Sequence, residues 1–430
     1  MGTRQEKRSG AWREGICCVC SGSFFFTLGR DTGSMNWPIL DDLESWSIDN
    51  EAGELRVVVA DGREARQAWK ARSEGPIDFK RVTFHPGDLV LEMVTPWDEV
   101  LEIEVYGEDD QFLRRQGRLV IYLDQNKWIQ LTQSIHEPAR VPAQELEASR
   151  RIIDLARGGE VILPLSSGHW VETSSAYGQR RTRLAATMVG LSRGWIMRDP
   201  LLVRSLELTA MFGNVRRGTE APLDEGVFTL DYRHFHAEPS DPYQAKDASL
   251  PPEMVRLIET LLGAQSVLAV LLEAERTDRE TVMAAQWAEL HESFAKHLAT
   301  EPATRPLVRT LTLFRFLADL GAEHMMVARD EGLTASEYKT WLSEDADNDI
   351  AALPYLGRNR EVIHLKLQNA QKGWKASDLI DLVYLPCAAG YADHVVCEKH
   401  TGDYLQRANR RRDVGARVFT SVAELMSAIA

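Results

Sequence analysis

The segment Leu119-Val120-Ile121-Tyr122-Leu123-Asp124-Gln125-Asn126 constrains this chain more than any other. Its unbroken apolar run has the length and texture of a strand buried on both faces, as in a parallel sheet. Asp124 then falls at the carboxyl end of that strand, the edge at which open α/β sheets bind ligands. A carboxylate there is costly unless a cation or hydrogen-bond donors meet it. The remainder of the chain must therefore supply partners for Asp124.

With 430 residues the chain can hold two or three domains and bury a sizeable core. Its hydrophobic content of 44% and charged content of 27% argue against disorder. The formal net charge of -14 does not mark a nucleic-acid binder, because phosphate is met by Lys and Arg. A carboxylate cluster that holds metal adds to that charge, however, and a basic patch can be local. The cysteines are Cys17, Cys18, Cys20, Cys387 and Cys397. An odd, clustered set gives no disulfide framework and points to a reducing cytoplasm. Cys17-Cys18-Val19-Cys20 lacks both CxxC spacing and a second ligand pair, so it is not read as a metal site.

No uninterrupted apolar run reaches the ~18 residues of a membrane span, and no membrane is expected. Near the start, Arg4, Lys7, Arg8 and Arg13 precede a mildly apolar stretch from Ile16 to Leu28. Ser21-Gly22-Ser23 breaks that stretch and no A-x-A-like cleavage site follows, so it is a poor imitation of a signal peptide. Residues 1–34 are expected to be a disordered, dispensable extension, with Met35-Asn36-Trp37-Pro38 as the effective start.

Residues 35–115 read as a small β-rich accessory domain. Leu55 to Val59 ends at the turn signal Ala60-Asp61-Gly62, and Leu89 to Val94 and Val100 to Val105 follow. The near-strict alternation of the last predicts a half-exposed antiparallel strand. Gly107-Glu108-Asp109-Asp110 reads as a linker. From 116 to 195 the texture is α/β. An amphipathic helix over Glu145–Arg157 stops at Gly158-Gly159, and Val161–Leu165 reads as a second strand. Ser166-Ser167-Gly168 opens a helix carrying His169 and Glu172. Residues 196–354 are mostly helical, with one long loop from Gly213 to Leu250 and a helix opening at Pro251-Pro252. Thr334-x-x-Glu337 is a capping box. The α/β texture returns near Val362 and runs to 430. Ser377 reads as the cap of a helix over Asp378–Leu382, followed by strands at His394–Cys397 and Val418–Phe419.

Acidic positions gather at these strand ends and helix starts: Asp124, Glu172, the pair Asp378 and Asp381, and Asp393 with Glu398. Asp378 and Asp381 share one helix face, and like charges held that close destabilise each other unless a cation intervenes. Mg²⁺ or Mn²⁺ suits such oxygen ligands. His169 would share a helical face with Glu172 and either orient a ligand or meet phosphate; a packed structural histidine is the plainer reading. Arg180, Arg181 and Arg183 follow the Glu172 segment, and Arg407, Arg410, Arg411 and Arg412 follow the last acids, as a candidate phosphate track. Asp345-Ala346-Asp347-Asn348-Asp349 begins like an EF-hand, but Ile350 and Leu356 stand where the loop needs Gly and Glu. No P-loop or dinucleotide glycine fingerprint occurs.

Leu123-Asp124-Gln125-Asn126, Trp170-Val171-Glu172, Ser377-Asp378-Leu379-Ile380-Asp381 and Tyr391-Ala392-Asp393-His394-Val395-Val396-Cys397-Glu398-Lys399 stand in one order along the chain. That order resembles the PIN-like ribonucleases, with Glu398 where the family usually has Asp. The resemblance covers roughly 118–195 and 360–430, within an expected domain of 116–195 and 355–430 that leaves 196–354 as an insertion. It implies a three-layer α/β/α domain with a central parallel sheet. It also implies a metal-dependent endoribonuclease acting on RNA, in which Asp124, Glu172, Asp378 and Asp381 hold Mg²⁺ or Mn²⁺ and Asp393 or Glu398 completes the shell. Asn126, His169 and the Arg180, Arg181, Arg183, Arg410 and Arg411 groups would meet substrate. The family's range further implies a toxin or phage-defence effector, with a regulatory or antitoxin protein as partner and an oligomer allowed. The rival expectation is a PIN-like scaffold or binding module without chemistry.

Overall fold

A computed structural model describes residues 43–68, 79–105, 115, 117–174, 176–218, 226–237, 252–273, 278–369, 372–410 and 415–429. The expected extension 1–34, the linker 107–110, Cys17, Cys18, Cys20, Arg411 and Arg412 lie outside these residues.

The first six strands, β1 (Leu43–Asp49), β2 (Glu54–Val59), β3 (Glu64–Ala68), β4 (Arg81–His85), β5 (Val90–Val94) and β6 (Val100–Glu104), form one antiparallel sheet in the order β3-β2-β1-β4-β5-β6. Gly62 takes φ +83° in the β2–β3 turn, a backbone region that glycine enters without a steric cost. The alternation in β6 does what it predicts: Leu101 and Ile103 are buried, while Val100 and Glu102 face out. The sheet nevertheless does not stand apart. Leu101 and Ile103 share one core with the helices that follow. Glu104, buried at the end of β6, receives Arg118 at 2.8 and 3.0 Å, Arg193 at 3.3 Å and the Trp195 indole at 3.2 Å. Burial pushes the Glu104 carboxyl up, but these donors outweigh it and hold the group below its usual range.

Next come β7 (Leu119–Leu123), α1 (Gln125–His136), α2 (Ala143–Arg157), β8 (Val161–Ile162), α3 (Ser167–Thr173), α4 (Gly178–Ser192) and β9 (Ile196–Met197). After α5 (Pro200–Arg217) and β10 (Phe228–Thr229) lies a helical stretch. It comprises α6 (Pro252–Glu273), α7 (Asp278–Thr300), α8 (Val308–Asp319), α9 (Glu323–Asp330), α10 (Ala335–Glu344) and α11 (Ala346–Ala352). The chain returns through α12 (Leu356–Leu367), α13 (Asp378–Tyr391), β11 (His394–Val396), α14 (Lys399–Asn409), β12 (Arg417–Phe419) and α15 (Val422–Ala428).

The second sheet is parallel throughout, in the order β12-β11-β7-β8. Both its faces are covered, as the continuous apolar run of β7 requires. Val120 and Tyr122 enter a core with α5, α12, α13 and α14, while Ile121 and Leu123 enter one with α1, α2, α4 and α15. The expected strand Val161–Leu165 is shorter, because after Ile162 only Leu165 pairs again, in a parallel bridge to Ile196. The expected loop from Gly213 is also shortened: α5 continues to Arg217, and β10 pairs antiparallel with β9. Residues 238–251 lie outside the described set.

Helix α10 carries the Thr334–Glu337 capping box, with both reciprocal bonds made. In α6 the segment Val255–Glu273 has a mean hydropathy of 1.7 and is long enough to cross a membrane, yet half of it is buried in the fold. Arg256, Glu259, Thr260, Gln265 and Ser266 interrupt its apolar run. Helix α12 starts before Val362 and is buried along its whole length, Arg358, Arg360, Glu361, His364 and Lys366 included. Its charged groups are engaged: Arg358 donates to Asn409 at 2.8 Å, Arg360 pairs with Asp347 at 2.7 Å, and Glu361 with Arg309 at 3.2 Å. Pro386 inside α13 lacks an N–H, which leaves the Leu382 carbonyl without its helical donor; the Asn359 amide of α12 donates to it instead.

Candidate active site

The carboxyl edge of the parallel sheet is where β7 and β11 end and α1 and α14 begin. Asp124 is pinned there by its N–H, which donates to the Val396 carbonyl at 2.9 Å. Its carboxylate caps α1, accepting from the Gln125 N–H at 2.8 Å and from the Glu398 N–H. Burial nevertheless pushes the Asp124 carboxyl up to about 6, with the nearby Glu398 charge adding to the rise. Asp381 lies one turn into α13. Burial, then the charges of Asp124, Asp378 and Glu398, push it up to about 7, and the Thr401 hydroxyl reaches it at 3.4 Å. Asp124 and Asp381 thus feel each other across the same space although they are far apart in sequence. Together with Glu172, Tyr122, His169 and Tyr384 they line one cleft of about 210 Å³, its open mouth included.

Other expected site residues serve elsewhere. Asn126 donates its amide to Glu398, tying the start of α1 to the start of α14. The longer stem of Glu at this position is what reaches across. Asp378 does not line the cleft; it accepts from the Lys375 N–H at 2.6 Å and from the Lys366 ammonium at 3.0 Å. Ser377 stands at the N-cap as expected but has helical rather than extended backbone angles and makes no cap bond. Asp393 is at the wrong end of β11: its carboxylate accepts the Val120 N–H at 2.7 Å, at the amino end of the sheet. It is a strand-start clamp and not part of the acidic cleft.

His169 is buried, with both ring nitrogens used. Nδ1 accepts the Ser166 N–H at 3.0 Å, and Nε2 donates to the Leu123 carbonyl at 2.8 Å. Burial holds its pKa down to about 4, so the ring is a neutral strut under the end of β7 rather than a phosphate ligand. Two members of the arginine track are engaged away from the cleft. Arg181 is buried and donates to the Leu271 carbonyl at 2.6 Å, so it joins α4 to α6. Arg183 sits 4.0 Å from Glu137, just past the far end of α1, ~20 Å from Asp124 at the usual helical rise. Arg180 is exposed on the first turn of α4, and Arg410 caps the carboxyl end of α14, the end away from Glu398.

Beneath the cleft is a polar network that no motif in the chain announces. The Ser167 hydroxyl donates to Asp199 at 2.8 Å and lies 2.9 Å from the Tyr384 hydroxyl. Burial pushes the Asp199 carboxyl up. The Tyr384 ring packs on the Gly168 backbone, where a Cβ would come within 2.8 Å of it. Ser166-Ser167-Gly168 signals only a helix start, and its partners arrive from α5 and α13.

Among the described residues, no group of three or more His, Cys, Asp and Glu side chains is arranged to hold a metal ion. The donor chemistry at the cleft still fits a smaller protein share. Mg²⁺ commonly takes one or two carboxylates and keeps several waters, and Asp124 and Asp381 are two oxygen donors whose repulsion a cation would relieve. Comparison with protein-family models, curated proteins and solved structures found no match in any of the three.

Proposed function

We propose that the cleft is the site of a metal-dependent endoribonuclease on a three-layer, PIN-like domain. The observation that carries this reading is the pairing of Asp124 and Asp381, two acids raised to about 6 and about 7 at the carboxyl edge of a parallel sheet. Structural carboxylates are usually held low by partners; two acids raised chiefly by burial in one cleft are a functional-site signal. Asp124 and Asp381 are the groups that would hold Mg²⁺ or Mn²⁺, with Glu172 lining the same cleft. A divalent cation bound there supplies Lewis-acid polarisation and charge neutralisation for phosphodiester hydrolysis. The chain's own part is positioning. His169 fixes the end of β7, the Glu398 and Gln125 N–H groups orient the Asp124 carboxylate, and Asn126 holds Glu398 to the rim.

The test is cleavage of a generic single-stranded RNA, beside the equivalent DNA, with Mn²⁺, Mg²⁺ or EDTA. Wild type should cut RNA only with the cation, and Asp124→Asn should lose activity by orders of magnitude. Equal cleavage by the two proteins would place any activity elsewhere.

A second reading, a scaffold of the same fold without chemistry, draws on the engagement of Asp378 by Lys366 and on the lack of a three-ligand cluster among the described residues. It predicts no Mn²⁺ binding and no cleavage by wild type on several RNAs.

A further inference from the structure

The helix α13 presents two acids one turn apart, and the fold treats them differently. Asp381 lines the cleft and Asp378 does not. Both donors on Asp378, the Lys366 ammonium at 3.0 Å and the Lys375 N–H at 2.6 Å, meet the same carboxylate oxygen. The Lys366 side chain is only 4% exposed. A buried ammonium needs a counter-ion, and a carboxylate so engaged has little charge left for a divalent cation.

Lys366 is held in turn from the helical stretch. Its ammonium lies 5.0 Å from the centre of the Trp374 ring. Trp374 is fixed by its backbone N–H, which donates to Glu292 at 3.0 Å, and by ring contacts with His291 at 4.7 Å and Trp287 at 5.4 Å. His291 lies 3.0 Å from Asp319 of α8. Glu292 and His400 are further titratable groups that feel the Lys366 charge. Helices α7 and α8 thus reach the start of α13 through an unbroken set of contacts.

We propose that Lys366 and Asp378 form a positioning pair that locks the amino end of α13, so that Asp381 alone of the two acids meets cation and substrate. The pair also gives residues 196–354 a role, because they hold the lysine that sets the register of the reactive helix. The inference rests on the nuclease reading and deepens it.

Titration calorimetry of the full chain with Mn²⁺, without RNA, tests it. Asp381→Asn should weaken binding by roughly a hundredfold. Asp378→Asn, which keeps an oxygen for the Lys375 N–H but leaves the buried Lys366 ammonium without its counter-ion, should lower the melting temperature and weaken binding about tenfold, well short of the Asp381→Asn loss. Lys366→Met should lower the melting temperature and weaken Mn²⁺ binding about tenfold, and Lys366→Arg should restore both in part. Equal losses in Asp378→Asn and Asp381→Asn would overturn the pair and leave the nuclease reading standing, as would a Lys366→Met protein indistinguishable from wild type. Absence of Mn²⁺ binding by wild type would remove the nuclease reading and the pair's role together.

Discussion

At the scale of single residues, three buried groups lining the cleft contribute to the response to pH. Asp124 and Asp381 are raised to about 6 and about 7, chiefly by burial. Both ionise near pH ~4 in an unfolded chain. Between about pH 4 and 7 the folded protein therefore holds more protons than the unfolded one, and these groups make stability fall as pH rises through that window. Asp124→Asn removes one of the charges, so at pH 7.5 the variant should be more stable by on the order of 1–3 kcal/mol while cleavage collapses. A thermal melt in EDTA reads the first effect; a variant less stable than wild type would mean that the charged cap on α1 outweighs the repulsion. Cation affinity should rise between pH 5 and 7.5, since protons compete for the same oxygens. His169 acts with the opposite sign. Its pKa is held down to about 4, so its contribution is full above the ordinary value of ~6.5 and is lost as pH falls toward 4. His169→Ala would leave the Leu123 carbonyl and the Ser166 N–H without their partners in a buried place, and should cost about 2–3 kcal/mol in denaturant unfolding.

At the scale of elements, local signals hold where the residues that decide an element lie within it. The α10 capping box is an exchange between Thr334 and its own first turn, and Thr334→Ala should cost about 1 kcal/mol. The β6 alternation and the opening of α6 at Pro252 are legible for the same reason. Ser377 is a good cap by type and stands at the N-cap, but it takes helical angles, φ -64° and ψ -28°, and makes no cap bond. Other signals fail where a distant chain intervenes. Helix α12 looks exposed from its charges and is buried, because those charges find partners on other elements. Gly168 is the sharpest case. Its lack of a Cβ matters only because Tyr384 arrives from α13. Gly168→Ala should cost about 1–3 kcal/mol and shift the Tyr384 ring, with weakened Mn²⁺ binding as the second readout. Unchanged stability and binding would show that the ring moves aside freely.

At the scale of the whole molecule, the antiparallel sheet is part of the core and not an appendage. Glu104 gathers Arg118, Arg193 and Trp195 at the junction. Removing that carboxylate leaves two largely buried guanidinium groups facing each other, so Glu104→Ala should destabilise the protein by about 3–5 kcal/mol. Unfolding should still be a single transition, because both sheets border one core. Two separated transitions in a thermal melt would instead make residues 43–105 an independent unit.

Elements whose causes are local can be read directly from the chain: the buried strand at Leu119–Leu123, the acid at its end, the alternating strand before it and the capped helices after it. The order of the acids is equally plain. Which of them meet is settled by packing. Asp393 and Glu398 flank the same short strand, His394–Val396, and at ~3.3 Å per residue its two ends are about 10 Å apart, so at most one acid can face the edge that holds Asp124. Asp378 and Asp381 share a helix face, yet a lysine from α12 takes the first and leaves the second in the cleft. Arg181 reads as a phosphate ligand beside its neighbours until α6 packs over it. Charge and residue type are properties of the chain; pairing and burial, which decide what a charge can do, are properties of the packed fold.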